Sequence, residues 1–320
     1  MTSTPQDTHL GAFVVGSHLR HLRECQHLTP EGLARLIPGL GRPDTTAITA
    51  LETGSGGDTG LVAAYLRAVD AGPAAADDFH RLIAGIQHDQ PGAAFLDDGH
   101  GAQWRHLILE ADADRLLLAA STTLPAPLRT VRTQAAMLME RPHGPAAAAA
   151  APTTEPAARL TGCALCVAYR EGLGAGPAGA EDWHQVIARM RGAAFDIRVR
   201  RADGPDTVLL LDEAALHPGA GSARAHAEQM GLLAELHART RLNVLVVPSN
   251  SGAVLSGERA ELSFGGRVVV ATLEGSGVRY RTGPRHDLRF ALSRSLDPGT
   301  SARLLAAAGG TLRRRRAGVW

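Results

Sequence analysis

Residues 29–54, with the sequence TPEGLARLIPGLGRPDTTAITALETG, constrain the fold of this chain more than any other stretch. Thr29 and Asp44 are good N-cap residues, and Pro30 suits the first position of a helix. A Pro-Gly pair at residues 38–39 stops the first helical segment. The pattern therefore predicts two short helices with a turn between them.

These two helices are too small to form a core by themselves. Apolar residues recur at helical spacing both before and after them, so flanking helices can complete the core. The predicted core residues are Val15, Leu19, Leu22, Leu33, Ala34, Ile37, Ile48, Leu51, Leu61, Tyr65, Leu66 and Val69. With a further helix predicted at residues 74–87, we expect residues 1–90 to form one all-α domain.

Two strings in this domain, LRHLRECQHLTPEGLARL and ITALETG, carry a resemblance to a known family. They resemble the helix-turn-helix of phage-repressor-like bacterial regulators, often called the Xre family. The resemblance implies an ion pair between Arg23 and Glu52, closer than the usual limit of about 4 Å. It also implies that the helix N-terminus at Pro30 approaches a DNA phosphate. The residues that it places toward the major groove are Thr45, Thr46, Thr49 and Ala50.

The chain departs from the family pattern in two ways. The turn PGLGRPD is longer than the short Gly-containing turn of the family, and the helix expected to read bases has no Arg, Lys, Gln or Asn. Hydroxyls and methyls limit base readout to thymine methyl contacts and single hydrogen bonds. Phosphate contacts must then carry more of the affinity, and the cations near the motif are Arg20, Arg35 and Arg42.

Charge is distributed unevenly along the chain. Residues 1–90 hold six arginines and ten acidic residues, and this net charge of −4 has the wrong sign for strong DNA binding. Residues 281–320 hold nine arginines and two aspartates, which gives +7. Four of these arginines are consecutive, at residues 313–316, where we expect either a solvated tail or a phosphate contact.

The second half of the sequence has the pattern of mixed α/β structure. Short β-branched runs at residues 208–211 and 244–247 flank a helical pattern at residues 222–240, which predicts a strand, helix, strand unit. A hairpin is predicted from residues 261–264 and 267–273, because the two glycines between them supply the positive φ of a tight turn.

The remaining segments set the domain boundaries. Residues 88–101 have the Pro, Gly and Asp content of a linker, and residues 103–120 predict a helix followed by a strand. Helices are also predicted at residues 131–140 and 301–308, and residues 141–158 are a low-complexity Pro/Ala insertion. We therefore place a second, mixed α/β domain over residues 91–320.

This second domain carries its own resemblance. The strings concerned, in chain order, are EADADRLLLAASTTLPAPLRT, LDEAALHPGAGSARAHAEQMGLLAEL, NVLVVP and ALSRSLDPGTSARLL. They resemble the domain of uncharacterised function that follows the helix-turn-helix in a group of regulators from filamentous high-GC bacteria. The resemblance implies an antitoxin-like or developmental regulator, with a small partner protein encoded nearby.

Three further motifs have plainer interpretations than the chemistry that they suggest. The GxGxxG pattern at residues 174–179 matches a nucleotide site, but 36 glycines make such a pattern common here. The CxxC at residues 163–166 lacks the second ligand pair of a zinc site, so core packing is favoured. Adjacent carboxylates at Asp212 and Glu213 would point to opposite sides of a strand, which favours a structural role over an acid/base cluster with His217.

Nothing in the sequence indicates catalysis. It contains no GxSxG, HExxH, SxxK or Walker motif, so we expect no enzyme activity, no cofactor and no metal site. The N-terminus lacks the basic and apolar regions of a signal peptide, and no uncharged apolar run reaches membrane-spanning length. A cytoplasmic protein without membrane contact is therefore expected.

The expected fold class is α+β multidomain, with an N-terminal all-α helix-turn-helix domain followed by a mixed α/β domain. The expected function is a transcription regulator that binds double-stranded DNA as a homodimer, while its C-terminal domain senses a partner protein or a ligand. Two alternatives stay open. One is an interaction protein whose degraded helix-turn-helix no longer binds DNA, and the other is a small-ligand or nucleotide-binding protein.

Overall fold

The computed structural model describes the greater part of the chain. The described residues are 9–37, 44–56, 59–88, 94–99, 101–121, 124–125, 128–130, 132–133, 195, 198–200, 206–218, 222–255, 257–274 and 277–317. They fall into two compact units. The first contains the described residues of Met1–Asp112 and Leu273–Gly283, and the second contains those of Ala113–Glu155, Arg191–Thr272 and Pro284–Trp320.

The first unit is mainly helical. Its elements are α1 (Leu10–Cys25), α2 (Pro30–Leu36), α3 (Thr45–Glu52), α4 (Thr59–Ala68), α5 (Pro73–His88), β1 (Phe95–Asp97), α6 (Ala102–Asp112) and β7 (Gly277–Thr282). Helix α1 packs against α3, α5 and α6, and β1 pairs antiparallel with β7, with Phe95 opposite Tyr280. The unit continues to Asp112, beyond the boundary at residue 90 expected from the sequence, because β1 and α6 both pack against α1.

The helix starts predicted from the sequence are confirmed. The Thr29 hydroxyl accepts a hydrogen bond from the Gly32 amide at 3.1 Å, and Asp44 accepts one from the Ala47 amide at 2.7 Å. Of the predicted core residues, Ala34 and Leu61 are half-buried and the others are buried. The predicted fifth helix is also present as α5.

Two glycines allow α1 and the end of α3 to approach closely. A Cβ atom at Gly16 would lie 2.5 Å from the carbonyl oxygens of Leu51 and Glu52. A Cβ atom at Gly54, where φ is +72°, would lie 2.4 Å from the Phe13 amide nitrogen. Real Cβ atoms do not approach backbone this closely, so any side chain at either position forces the helices apart.

Substitution of Gly54 tests this close packing. We expect Gly54→Ala to lower the free energy of unfolding by more than the roughly 1–3 kcal/mol of left-handed backbone strain alone, because the methyl group also meets the α1 backbone. Gly72→Ala is the matched control, since Gly72 has φ +80° and nothing within 4 Å of the added methyl. Urea denaturation measures both. Equal losses in the two variants would show that the helix contact contributes nothing.

A buried cluster of charges joins α5, β1 and α6. The guanidinium of Arg105 donates to Asp97 at 2.6 and 2.8 Å through Nε and Nη2, and its Nη1 donates to Asp78. Arg105 and Asp97 are fully buried, and Asp78 is 1% exposed. The linker predicted at residues 88–101 was therefore wrong at residues 95–97, which form a strand and supply one carboxylate of this cluster.

His18 adds a pH-dependent element to the same unit. Its ring lies 4.9 Å from the Phe79 ring, and burial, with smaller contributions from Arg105 and His21, lowers the pKa of His18 well below its ordinary value of 6.5. The unfolded chain therefore binds a proton at a higher pH than the folded protein does. Stability is expected to be lost as the pH falls below the unfolded value.

We expect the His18 contribution to lower the free energy of unfolding by up to about 1.4 kcal/mol for each pH unit below roughly 6.5. His18→Gln removes the titrating ring, so its unfolding free energy should depend less steeply on pH between 7 and 5. Urea denaturation across this range compares the two proteins. Parallel pH profiles would contradict the assignment of a depressed pKa to His18.

The second unit is a mixed α/β structure. Its elements are β2 (Arg115–Ala120), β3 (Asp206–Asp212), a 3-10 turn (Glu213–Leu216), α7 (Ala223–Arg239), β4 (Leu242–Val247), β5 (Arg259–Phe264), β6 (Arg267–Glu274), α8 (His286–Arg294) and α9 (Pro298–Ala317). The strands lie in the order β6-β5-β2-β3-β4. Strands β2, β3 and β4 are mutually parallel, whereas β5 is antiparallel to both β2 and β6.

Several predictions for this unit are confirmed. Strands β3 and β4 are parallel neighbours joined through α7, as the strand, helix, strand pattern predicted. Strands β5 and β6 form the predicted hairpin, and Gly265 and Gly266 at its turn have φ of +50° and +98°. The predicted helix and strand of residues 103–120 are α6 and β2.

The end of the chain differs from the prediction. The final helix was expected at residues 301–308, but α9 spans Pro298–Ala317 and includes the backbone of the four arginines at 313–316. The backbone of this arginine run is therefore helical and does not form an irregular tail. Asp297 fixes the start of the helix, because its carboxylate accepts hydrogen bonds from the Thr300 amide at 2.9 Å and the Thr300 hydroxyl at 2.7 Å.

Side chains cover the outer edge of β4. The Val244 amide donates to His237 Nδ1 at 3.0 Å, and the Val246 amide donates to the Ser301 hydroxyl at 3.0 Å. The Val246 carbonyl in turn accepts from the Leu296 amide at 2.8 Å. These bonds satisfy backbone groups that would otherwise be free to pair with another strand.

The acidic pair at the end of β3 has the structural role that the sequence favoured. Asp212 accepts a hydrogen bond from the Ala214 amide at 2.8 Å, and Glu213 accepts one from the Ser249 amide at 3.0 Å. The predictions for Arg42, the insertion at 141–158, the CxxC and the GxGxxG pattern lie outside the described residues, as does the helix at 131–140 except for residues 132–133. Among the helices that the structure describes, none combines the length and apolar character needed to cross a membrane.

Candidate nucleic-acid interface

An open groove lies between the start of α2 and the outer face of α3. The residues that line it are Pro30, Glu31, Thr45, Thr46, Thr49, Ala50, Thr53 and Ser55. All four residues that the resemblance placed toward the major groove are therefore brought together on one surface. The sequence did not single out Glu31, Thr53 or Ser55 as part of it.

The outer face of α3 offers small polar groups to a ligand. Thr46 and Thr49 are exposed, and Thr45 and Ala50 are half-buried. No described residue forms a hydrogen bond with the hydroxyls of Thr46 and Thr49, so both hydroxyls are available to donate and accept. This surface can contact a thymine methyl and make single hydrogen bonds to base edges.

At the far end of the groove, two hydroxyl groups form hydrogen bonds with the C-terminal backbone of α3. The Thr53 hydroxyl donates to the Thr49 carbonyl at 2.9 Å, and it lies 2.9 Å from the Ser55 hydroxyl. The Ser55 hydroxyl donates to the Ala50 carbonyl at 3.2 Å. These bonds satisfy the last carbonyls of α3 and fix where the helix ends.

The inner face of α3 is anchored by a buried ion pair, as the resemblance predicted. Arg23 donates to Glu52 through Nε at 2.7 Å and through Nη2 at 2.8 Å, and its Nη1 donates to the Leu28 carbonyl at 2.6 Å. Both side chains are less than 10% exposed. A bidentate pair of this kind fixes α1 and α3 in one relative orientation.

Tyr65 of α4 completes this anchor. Its hydroxyl lies 2.7 Å from Glu52 Oε1 and 2.8 Å from the Leu19 carbonyl oxygen. Burial, reinforced by the Glu52 carboxylate, raises the pKa of Tyr65 far above its ordinary value, so the hydroxyl keeps its proton as a donor. Helix α3 is thus fixed from α1 and α4 together, and its threonine face is directed away from them.

Glu31 gives the groove a negative charge at the start of α2. Its own backbone amide and the Thr29 hydroxyl lower the pKa of Glu31, so the carboxylate is ionised at neutral pH. Pro30 has no N–H, the Gly32 amide donates to Thr29 Oγ1, and the Leu33 amide donates to the Thr29 carbonyl. The first turn of α2 therefore disfavours the phosphate that the resemblance places there.

Few cations near the groove are available to a phosphate. Arg20 is exposed but forms an ion pair with Glu24 at 2.8 Å. Arg35 is exposed and lies in no ion pair with a described residue, while Arg42 is outside the described part of the chain. The negative charges of the exposed residues Glu31 and Asp44 offset the positive charge of Arg35, so this surface is not a strongly basic patch.

Comparison with known proteins gives one match. Residues 168–306, fewer than half of the 320 in the chain, match the family described as "Domain of unknown function (DUF5753)". The matched range includes β3 to β7, α7 and α8, and it begins well after the groove. The chain matches no curated protein and no solved structure.

Proposed function

We propose that this protein is a DNA-binding transcription regulator in which α2 and α3 act as a helix-turn-helix. The observation that carries the proposal is the arrangement of α3. Its inner face is fixed by the Arg23–Glu52 pair, and its outer face presents unengaged hydroxyls of Thr46 and Thr49 in an open groove. A helix held rigidly with small polar groups outward suits insertion into the major groove.

The groove predicts how DNA affinity divides between bases and phosphates. Thr46→Ala removes one hydrogen-bonding group from the base-reading face, so it should relax preference at one base position and leave the salt dependence unchanged. Arg35→Ala removes a cation that no described carboxylate pairs. It should weaken binding to all sequences and lower the salt slope by about one unit.

Fluorescence anisotropy with duplex DNA from upstream of the coding sequence, titrated over a range of salt concentrations, measures both effects. A randomised pool of duplexes then reports base preference. If the wild-type protein binds DNA and neither substitution changes the affinity, the base preference or the salt slope, α3 and Arg35 do not contact the DNA. If the wild-type protein shows no DNA binding at low salt, the regulator proposal is wrong.

A homodimer is part of this proposal. Regulators with this motif usually read two half-sites about one DNA turn apart, which requires two-fold symmetry. A single α3 with so few base-reading groups also binds weakly by itself. Light scattering that gives a monomer at micromolar concentration, both with and without DNA, would contradict the dimer.

One observation favours a second candidate function, an interaction protein whose helix-turn-helix does not bind DNA. The Glu31 carboxylate lies in the groove, and residues 1–90 carry a net charge of −4. Both features oppose a polyanion. In this case the groove would receive a neutral or basic protein segment, and the C-terminal unit would bind a partner protein or ligand. The DNA titration at low salt separates the two candidates.

A further inference from the structure

Helix α8 in the second unit presents a basic surface to solvent. Its residues recur at helical spacing on one exposed face, which we call the α8 face. The α8 face consists of His286, Arg289, Phe290, Ser293 and Arg294. The opposite side of the helix is apolar, since Leu288 and Ala291 are buried.

The buried side holds α8 firmly on the sheet. Leu288 and Ala291 pack into the cluster that includes Leu117 of β2 and Leu210 of β3. Such a core contact fixes the rotation of α8, so the α8 face stays exposed.

Ionic contacts fix the start of the helix as well. Asp287 accepts from Arg285 and from Arg259 at 2.7 Å each, and the Arg285 amide donates to Glu261 at 3.1 Å. Hydrogen bonding from Arg285 lowers the pKa of Asp287, so the carboxylate stays ionised at the helix N-terminus. The single charge of Asp287 offsets only one of these two arginines, and the α8 face adds Arg289 and Arg294.

The cations of the α8 face differ from the arginines of α7. On α7, Arg224 and Arg239 are each paired with a glutamate four residues away, at 3.1 and 3.3 Å. On α8, Arg294 lies in no ion pair with a described carboxylate, and its guanidinium lies over the Phe290 ring, 5.3 Å from the centroid. Arg289 is 55% exposed and only 3.5 Å from Glu261. Arg289 thus forms an ion pair with Glu261, whereas Arg294 does not share a described carboxylate. The arginines at the start and on the face of α8 are Arg259, Arg285, Arg289 and Arg294, and among the described residues only Asp287 and Glu261 oppose them, so a charge of +2 remains.

Phe290 gives this charge a fixed position. The ring is 42% exposed, which is unusual for a phenylalanine, and the guanidinium of Arg294 rests against it. Stacking restricts the Arg294 side chain and reduces the entropy that a bound ligand would otherwise have to remove.

We propose that the α8 face binds the phosphate backbone of duplex DNA as a second contact site. This inference rests on the proposed function, because it supplies the phosphate contacts that α2 and α3 lack. Arg289 and Arg294 are five residues apart, which is about 7.5 Å along the helix axis and about 140° around it, so they flank Phe290 and Ser293 at the two edges of the face. Arginine is suited to phosphate through paired N–H donors. Such contacts add affinity without base preference.

The test compares two double variants that remove the same number of charges. Arg289→Ala with Arg294→Ala changes the α8 face, and Arg224→Ala with Arg239→Ala removes the paired arginines of α7. Anisotropy with duplex DNA at several salt concentrations gives the slope of log affinity against log salt. We expect the α8 variant to lower that slope by about two and to weaken binding to all sequences. The α7 variant should remain within about two-fold of wild type.

Three controls separate the possible outcomes. Arg289→Lys with Arg294→Lys keeps the charge and should retain most of the salt slope, and circular dichroism checks that every variant is folded. If the wild-type protein binds DNA and the α8 variant binds it equally well, this inference is overturned and the proposed function still stands. Absence of wild-type DNA binding overturns both. Poly-glutamate serves as a probe for an acidic protein partner. If the α8 variant binds poly-glutamate less tightly than the wild-type protein does but binds DNA equally well, the face is assigned to an acidic protein and the DNA contact is overturned.

Discussion

Replacing Arg105 with methionine is expected to lower the free energy of unfolding of the first unit by roughly 3–5 kcal/mol. The guanidinium of Arg105 is fully buried and is shared by two carboxylates, Asp97 and Asp78, which are themselves buried. Methionine has a similar length and fills much of the same volume, so the loss reports charge and not a cavity. Asp97 would remain in the interior without the cation that pairs with it, and Asp78 would retain its longer contact of 3.5 Å with Arg81.

The same cluster provides its own control. Arg105→Met combined with Asp78→Asn and Asp97→Asn removes the cation and both anions together, so much of the lost stability should return. Urea denaturation followed by circular dichroism gives the free energies, and these contacting residues should be strongly non-additive. A loss below about 1 kcal/mol in the single variant would show that the cluster is not an important determinant of stability.

Replacing Glu52 with alanine is expected to lower the free energy of unfolding by about 3 kcal/mol and, under the function proposed above, to abolish DNA binding through α3. The substitution removes the carboxylate that accepts two hydrogen bonds from Arg23, whose side chain is only 8% exposed in the native protein. It also removes one acceptor for the Tyr65 hydroxyl. Since these contacts fix α3 from two sides, its position should become less well defined.

Glu24→Ala is the matched control for this substitution. Glu24 is a glutamate of the same unit, but it is 46% exposed, pairs with Arg20 at 2.8 Å on the surface of α1 and approaches Arg23 only to 3.5 Å. Its loss should cost no more than about 1 kcal/mol. Thermal and urea denaturation report stability, and anisotropy reports DNA affinity. If Glu52→Ala and Glu24→Ala behaved alike, the Arg23–Glu52 pair could not be what holds α3 in place.

The features that the sequence predicted correctly depend on local signals. The caps at Thr29 and Asp44 act within three residues, and the two glycines of the β5–β6 turn determine that hairpin by themselves. The Arg23–Glu52 pair is not local, and it was predicted from the resemblance of the surrounding strings.

The elements that were missed depend on partners far away in the chain. Strand β1 has three residues next to Gly and Asp, and only pairing with β7 makes it a strand. Helix α8 buries just Leu288 and Ala291 among its nine residues, so its apolar stripe is too narrow to stand out. Because the helix was not predicted, its exposed basic surface could not be predicted either.

The candidate site was predicted in part for the same reason. The threonines of α3 are neighbours on one helix, so their shared face follows from helical spacing. Glu31 belongs to a different helix and enters the groove only through the packing of α2 beside α3. The effect of Glu31 on phosphate binding could therefore be inferred only from the tertiary structure.

The pairing of β1 with β7 also has a consequence for synthesis on the ribosome. Helices α1 to α6 leave the exit tunnel early, but the strand that completes their unit lies at Gly277–Thr282. At about 5–20 residues per second, roughly ten seconds or more passes between the translation of β1 and that of β7. During that interval the edge of β1 lacks its partner strand. Nascent chains of this protein are therefore expected to need chaperone protection until translation is nearly complete.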